Sequence, residues 1–192
     1  QKKIKVYLID LAVENLNNAK KIIGNNLERM IKKEIISEQD KEDIISRISF
    51  HTSLGEYVRN SDLVIEAATE SREIKLSIFQ ELDLLCDKKT ILASNTSSIS
   101  IEEIAGATNR KGQVIGMHFM NPVPIMKLVE VIKTNDTDQT TIQKIMDLSY
   151  FLDKKPVLVN DAPGFVANRI LLPMINEAIQ TLHEKVAGVE EI

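Results

Sequence analysis

The 192-residue chain contains a single cysteine, Cys86. One thiol permits no internal disulfide and no cysteine-based metal site, and it suits a reducing compartment. Long apolar runs are also missing, since none approaches the ~18 residues of a membrane span. A basic excess is absent too. Lys and Arg number 24 against 28 Asp and Glu, for a formal net charge of −4. That balance argues against a general nucleic-acid or membrane-surface role. Five lysine pairs, such as Lys20-Lys21 and Lys32-Lys33, leave local anion binding open, although solvated surface is the commoner reason for such pairs. There is no internal repeat, no low-complexity tract and no signal peptide. The chain also lacks an initiating Met and reads as cut at its front, so a preceding targeting segment stays open.

What is present is a globular composition, with 43% apolar and 27% charged residues. A chain of this size can form one large domain, or one domain and part of another. Strand and helix patterns alternate along it. Ile4 to Asp10 reads as a buried strand ending on an acid. A helix follows with Leu16, Ala19, Ile23, Leu27 and Ile35 on one face. Ser37 to Asp40 resembles a helix start, opening a second helix to about Arg47 and completing a helical hairpin. Further strands are expected at 48–51, 63–68, 90–94, 114–119, 128–132 and 156–159. Helices are expected near 54–58, 74–85, 99–107 and 139–152.

Such alternation predicts an α/β fold, a doubly wound and largely parallel sheet with helices on both faces. Ligands of these sheets bind at the C-terminal strand ends. A boundary is expected at Asp161-Ala162-Pro163-Gly164, with Asp161 capping the next helix and Pro163 in its first turn. Residues 1–160 would then form the sheet domain, and 161–192 the start of a helical domain with Pro173 as a kink.

His118 and Glu130 carry the clearest chemistry. A histidine can move a proton near neutral pH, and a carboxylate can fix its tautomer and stabilise its cation. A lone His among apolar residues is more often a hydrogen-bonded core residue. Glu130 changes the balance: in Leu128-Val129-Glu130-Val131-Ile132 it is flanked by apolar residues, so it should be buried and need a partner. A turn with Pro122 and Pro124 would let the two side chains meet. Asn95 to Ser98 and Asn168 are, by spacing alone, an ordinary polar turn and a helix-surface residue. Asp10 is either a strand-end cap or the acid that binds a ribose 2′-hydroxyl in nucleotide folds.

Five ordered segments add to this: Val64-Ile65-Glu66-Ala67-Ala68, Ser94-Asn95-Thr96-Ser97-Ser98, Gly116-Met117-His118-Phe119-Met120-Asn121-Pro122, Met126 to Ile132, and Ala162-Pro163-Gly164-Phe165-Val166-Ala167-Asn168-Arg169. Together they resemble the L-3-hydroxyacyl-CoA dehydrogenase family, in a form like the bacterial 3-hydroxybutyryl-CoA dehydrogenases. The resemblance implies a Rossmann-like NAD-binding domain and an oxidoreductase interconverting L-3-hydroxyacyl-CoA and 3-oxoacyl-CoA of short chain. It implies His118 as the base, oriented by Glu130, with Ser97 and Asn168 on the reacting oxygens. Asp10, Glu70, Lys75, Ser97 and Asn121 would hold NAD, and Asn26 and Lys33 would contact coenzyme A. No metal is implied. A homodimer through the helical domain and a bacterial cytoplasmic location follow from the same likeness, with the mitochondrial matrix still open.

One departure stands out. The family's first strand and its Gly-x-Gly-x-x-Gly loop, which presents N–H groups to the pyrophosphate, find no counterpart among the seven glycines at 24, 55, 106, 112, 116, 164 and 188. The chain reads as starting just before the family's second strand, and as lacking most of the helical domain. NAD binding by the chain alone is therefore expected to be weak or nil, and the fragment inactive. Other readings are a related NAD-dependent hydroxyacid or sugar-acid dehydrogenase, a non-catalytic binding or structural protein on the same fold, and a segment of a multifunctional fatty-acid oxidation protein. In a chain that carries the glycine loop, Asp10→Ala should relax the preference for NAD over NADP, because it removes both an acceptor for the 2′-hydroxyl and a repulsion against a 2′-phosphate. Unchanged coenzyme discrimination in steady-state assays would make Asp10 a strand-end cap only.

Overall fold

Strand β1 (Val6–Ile9) pairs in parallel with β2 (Ile48–His51), and the two helices between them form the expected hairpin. The structure, a computed structural model, describes residues 3–192. By its internal contacts the chain divides into two units, residues 1–60 and 61–192.

In the first unit α1 (Val13–Lys32) turns Leu16 and Leu27 inward. It stops three residues short of Ile35, where Glu34 takes φ +55° and the Ile35 N–H bonds the Met30 carbonyl at 3.0 Å. Helix α2 (Glu38–Ser46) begins at a reciprocal cap. Ser37 Oγ accepts from the Asp40 N–H at 3.1 Å, and the Asp40 carboxylate accepts from the Ser37 N–H at 2.9 Å. A cap of this kind stabilises a helix by about 0.5–2 kcal/mol. The short α3 (Gly55–Arg59) completes the unit.

The second unit holds β3 (Leu63–Glu66), α4 (Arg72–Leu85), β4 (Ile91–Ser94), α5 (Ile101–Gly106), β5 (Val114–Phe119), β6 (Leu128–Lys133), α6 (Gln139–Phe151), β7 (Lys155–Asn160) and α7 (Ala167–His183). Its sheet runs β3-β4-β5-β6-β7, with every neighbouring pair parallel except β5–β6. That reversal follows from the connection. Residues 120–127 form a turn, and a turn can join only antiparallel neighbours. Strand alternation separates two buried faces. On one, Ile91, Ala93, Ile115, Met117, Val129 and Val131 pack with Ile142 and Ile145 of α6. On the other lie Leu92, Val114, Gly116, His118, Glu130 and Ile132, all buried. Gly116 is required there. A Cβ on it would stand 2.8 Å from Ile132 Cβ and 3.0 Å from Ile101 Cδ1.

Two expectations need correction. Asp161 does not cap α7. Its carboxylate accepts from Ser100 Oγ at 2.7 Å and from the Glu102 N–H at 2.9 Å, so it serves the start of α5. Pro163 belongs to a turn ahead of α7, which begins only at Ala167. Pro173 lies inside that helix without ending it. The apolar face of α7 is open, with Ile170, Met174, Ile175 and Ile179 all exposed. Among the described residues no helix is long and apolar enough to cross a membrane.

A staple closes the end of α4. Arg110 Nε donates to Asp83 Oδ1 at 2.6 Å, while its Nη2 donates to the carbonyls of Asp83 and Cys86 at 2.8 and 3.2 Å. Asn109 donates twice more to the Asp83 carboxylate. Burial pushes the Asp83 carboxyl up, but the hydrogen bonds from Arg110 and Asn109 outweigh it and hold the group below its ordinary 3.8. A depressed folded-state value means that the unfolded chain takes up the proton first as pH falls. The stabilisation is therefore full above 3.8 and drains away as pH drops through the folded value. Asp83→Asn should cost about 1–3 kcal/mol near neutral pH. In denaturant melts the gap from wild type should close below pH 3.8; a gap independent of pH would show that the charge contributes nothing.

Candidate active site

Antiparallel register sets His118 of β5 directly opposite Glu130 of β6. Side chains so paired lie on one face within reach of each other. His118 Nδ1 and Glu130 Oε2 are 2.9 Å apart, and Glu130 is only 1% exposed. An ionised carboxylate can only accept, so Nδ1 carries a proton and Nε2 of the neutral ring keeps its lone pair. Ser97 Oγ stands 3.1 Å from that Nε2 and donates to it. Phe165, also buried, covers the ring at 5.8 Å between centroids. The second oxygen of Glu130 accepts from the N–H groups of Val166 and Ala167, both at 2.9 Å.

Ser97 lies on the turn after β4, and that turn is held by a second polar array. Glu70 Oε1 accepts from the Ser97 N–H at 2.5 Å, and its Oε2 accepts from Thr96 Oγ1 at 2.8 Å. Lys75 Nζ lies 3.8 Å from Glu70 and donates to both oxygens of Glu66 at 2.8 Å. Glu66 also accepts from Ser94 Oγ at 2.8 Å and from the Ala68 N–H at 2.7 Å. Asn95 Oδ1 accepts from the Phe119 N–H at 2.9 Å, tying the turn to the end of β5. A buried base with an orienting carboxylate and a hydroxyl at its free nitrogen is equipped for proton transfer at a substrate oxygen.

The remaining expected residues are spread out. Asn168 is half-buried on the first turn of α7, and Asn121 is exposed just beyond β5. Glu70 keeps 44% of its side chain exposed, whereas Lys75 is enclosed. Asp10, Asn26 and Lys33 belong to the first unit. Asp10 Oδ1 accepts from the Ala12 N–H at 2.9 Å, and Asn15 Nδ2 reaches both Asp10 oxygens at 3.1 and 3.2 Å. Asn26 is half-buried on α1, and Lys33 is exposed at its end. A cavity of about 150 Å³, lined by Ser98, Ser100, Asp161 and Phe165 among others, adjoins the turn between β7 and α7. It is smaller than the ~300 Å³ of a drug-sized ligand site.

Family models account for nearly the whole sequence. Residues 1–162 match the NAD-binding domain of 3-hydroxyacyl-CoA dehydrogenase, and residues 164–192 match its C-terminal domain. The chain belongs to the 3-hydroxyacyl-CoA dehydrogenase family. It is 47% identical to a probable 3-hydroxybutyryl-CoA dehydrogenase of Bacillus subtilis, over 97% of this chain and 65% of that protein. It is 41% identical to the human mitochondrial hydroxyacyl-coenzyme A dehydrogenase, over 97% of this chain and 61% of that one. The crystal structure of (S)-3-hydroxybutyryl-CoA dehydrogenase from Ralstonia eutropha superposes with a TM-score of 0.96 at 43% identity, covering all of this chain and 67% of that one. The chain thus spans 61–67% of the length of these three relatives.

Sequence reasoning gave no role to Glu66, Thr96 or Phe165, which the structure sets against Lys75, Glu70 and His118. Glu66 carried a usable signal, an acid ending the apolar run Leu63-Val64-Ile65, which is the pattern that marked Glu130. Its pairing with Lys75 yields a prediction. Both partners are nearly inaccessible, so removing one leaves the other as an uncompensated buried charge, at a cost of about 3–5 kcal/mol. Lys75→Met should show such a loss in urea melts, and the double variant Glu66→Gln/Lys75→Met should lose less than the two single losses added. Strict additivity would mean that the two groups do not depend on each other.

Proposed function

We propose that the protein is an NAD-dependent 3-hydroxyacyl-CoA dehydrogenase of the EC 1.1.1 class. In this reading it interconverts short-chain L-3-hydroxyacyl-CoA and 3-oxoacyl-CoA, the 3-hydroxybutyryl-CoA and acetoacetyl-CoA pair being the example. The observation that carries this reading is the continuous contact from Glu130 through His118 to Ser97. His118 Nε2 takes the proton from the substrate's 3-hydroxyl and returns it in the reverse direction. Glu130 holds the ring in the tautomer with Nε2 free and, itself buried, balances the imidazolium charge. Ser97 Oγ and Asn168 hydrogen-bond the reacting oxygens. When bound, NAD supplies hydride acceptance.

The polar groups suit that coenzyme in part. Asp10 lies at a strand's C-terminal end, and its two local partners leave lone pairs for ribose hydroxyls. The Glu70 carboxylate is partly open to solvent, and Asn121 is exposed for the nicotinamide end. Lys75 is enclosed between Glu66 and Glu70, so its part in holding NAD is exerted through Glu70. Asn26 on α1 and Lys33 just past its end would contact coenzyme A. Residues 161–192 begin a helical domain whose open apolar face on α7 supports a homodimer through that domain, and the bacterial relatives support a cytoplasmic location.

Glu130→Gln keeps the volume and a hydrogen-bonding group but removes the charge. In the polypeptide that contains this chain it should lower turnover with acetoacetyl-CoA and NADH by roughly two to four orders of magnitude. A variant that melts early yet turns over at close to the wild-type rate would reduce Glu130 to a core carboxylate.

A further inference from the structure

The turn 163–166 ahead of α7 has no part so far in the chemistry, yet two observations tie it to the catalytic pair. Gly164 and Phe165 both take left-handed backbone conformations, with φ +76° and +49°. Gly164 can do so freely, and a Cβ there would stand 3.2 Å from the Arg169 nitrogen. For a bulky residue such as Phe165 this conformation is an outlier that persists only when its surroundings demand it. What it accomplishes is visible in the hydrogen bonds. The reversal aims the successive N–H groups of Val166 and Ala167 at one point, and Glu130 Oε1 occupies that point at 2.9 Å from each. Successive backbone amides turned this way form an anion-binding concavity.

We infer that Gly164 and Phe165 are positioning residues for the His118–Glu130 pair, because the turn they shape grips one oxygen of Glu130 and leaves the other to orient His118. The inference rests on the proposed roles of those two residues. Among the described residues, His118 is the side chain that Glu130 bonds, and its other two donors are backbone amides. Without the two amides, its Oε1 would be buried and bare, and the carboxylate would be free to rotate away from Nδ1. The Phe165 ring, tilted 58° over the imidazole, closes the same corner. Asn168 follows Ala167 directly, so the grip also sets the distance between Asn168 and His118. The groups facing the pair are Ser97 on the β4 turn, Phe165 on this turn and, through the Ser97 N–H, Glu70.

The test is an amide titration that needs no activity. In 15N-labelled protein, the Val166 and Ala167 amide shifts are followed beside the His118 ring through about pH 5 to 8. Expected are downfield amide resonances that move upfield with the His118 midpoint as pH falls, because imidazolium formation draws charge from Oε1 toward Oε2. In Glu130→Gln both amides should lose that response. Gly164→Ala should shift both amides toward solvent-exposed values and lower kcat about ten- to a hundredfold, with KM for NADH within about threefold of wild type. Wild-type amides that ignore the His118 titration overturn the inference, as does Gly164→Ala with unaltered amides and rate. If Gly164→Ala does not fold, the wild-type titration decides alone. The rates are read in the polypeptide that contains this chain, and absence of dehydrogenase activity in its wild type would end the functional reading while leaving the amide result to be judged separately.

Discussion

Burying one carboxylate between two strands constrains much of the second unit. An ionised Glu130 at 1% exposure forgoes hydration worth several kcal/mol, and only well-placed donors offset that loss. The chain supplies three: the imidazole across the β5–β6 register and two amides at the start of α7. Each donor imposes a requirement elsewhere. The imidazole requires β5 and β6 to run antiparallel in one register, since a slip of a single residue would turn His118 to the α6 face. That register in turn brings Ile132 against residue 116, where only glycine fits. The amides require the left-handed pair at 164–165 ahead of the helix.

A second buried charge pair imposes a parallel order on the other side of Ser97. Glu66 ends β3, Ser94 at the end of β4 donates to its carboxylate, and Lys75 rises from the first turn of α4 to the same carboxylate. The ammonium and carboxylate compensate each other locally, and the hydroxyl and an amide fill the remaining lone pairs of Glu66. Glu70 sits at the edge of this array and converts its rigidity into a position for the Ser97 turn. Ser97 is thus held from behind by one buried network and meets the other at His118. Neither network supplies all of that geometry alone.

How much of this was legible depends on the range of the interaction. Strand β5 matched its expected limits of Val114 to Phe119, because a continuous apolar run bounded by polar turns has one solution. The His118–Glu130 contact could be argued from Glu130 alone, since an acid inside Leu128 to Ile132 must find a partner. Asp161 misled for the opposite reason. An Asp two residues before a proline is a good cap by local rules, but its carboxylate went to a helix sixty residues earlier in sequence. The family resemblance pointed to Glu70 and Lys75 but not to what they touch. Tertiary partners of a side chain leave no periodic trace, and Phe165 at positive φ contradicts the rule that would have placed glycine there.

Saturation of the buried groups decides where ligand recognition can occur. Among the described residues no buried side-chain nitrogen or oxygen lacks a hydrogen-bond partner. Glu66, Lys75 and Glu130 therefore have their donors and acceptors committed within the chain, and binding a ligand through them would mean breaking contacts made in a low-dielectric setting. Unspent capacity lies with the groups around them: the exposed Asn121, the partly open Glu70, the half-buried Asn168 and the second lone pair of Ser97. These line the C-terminal ends of β3, β4 and β5 and the start of α7, the region where open α/β sheets take their ligands. The division is physical before it is functional. Committed groups hold a geometry, uncommitted ones can read a substrate, and His118 Nε2 stands where the two sets meet.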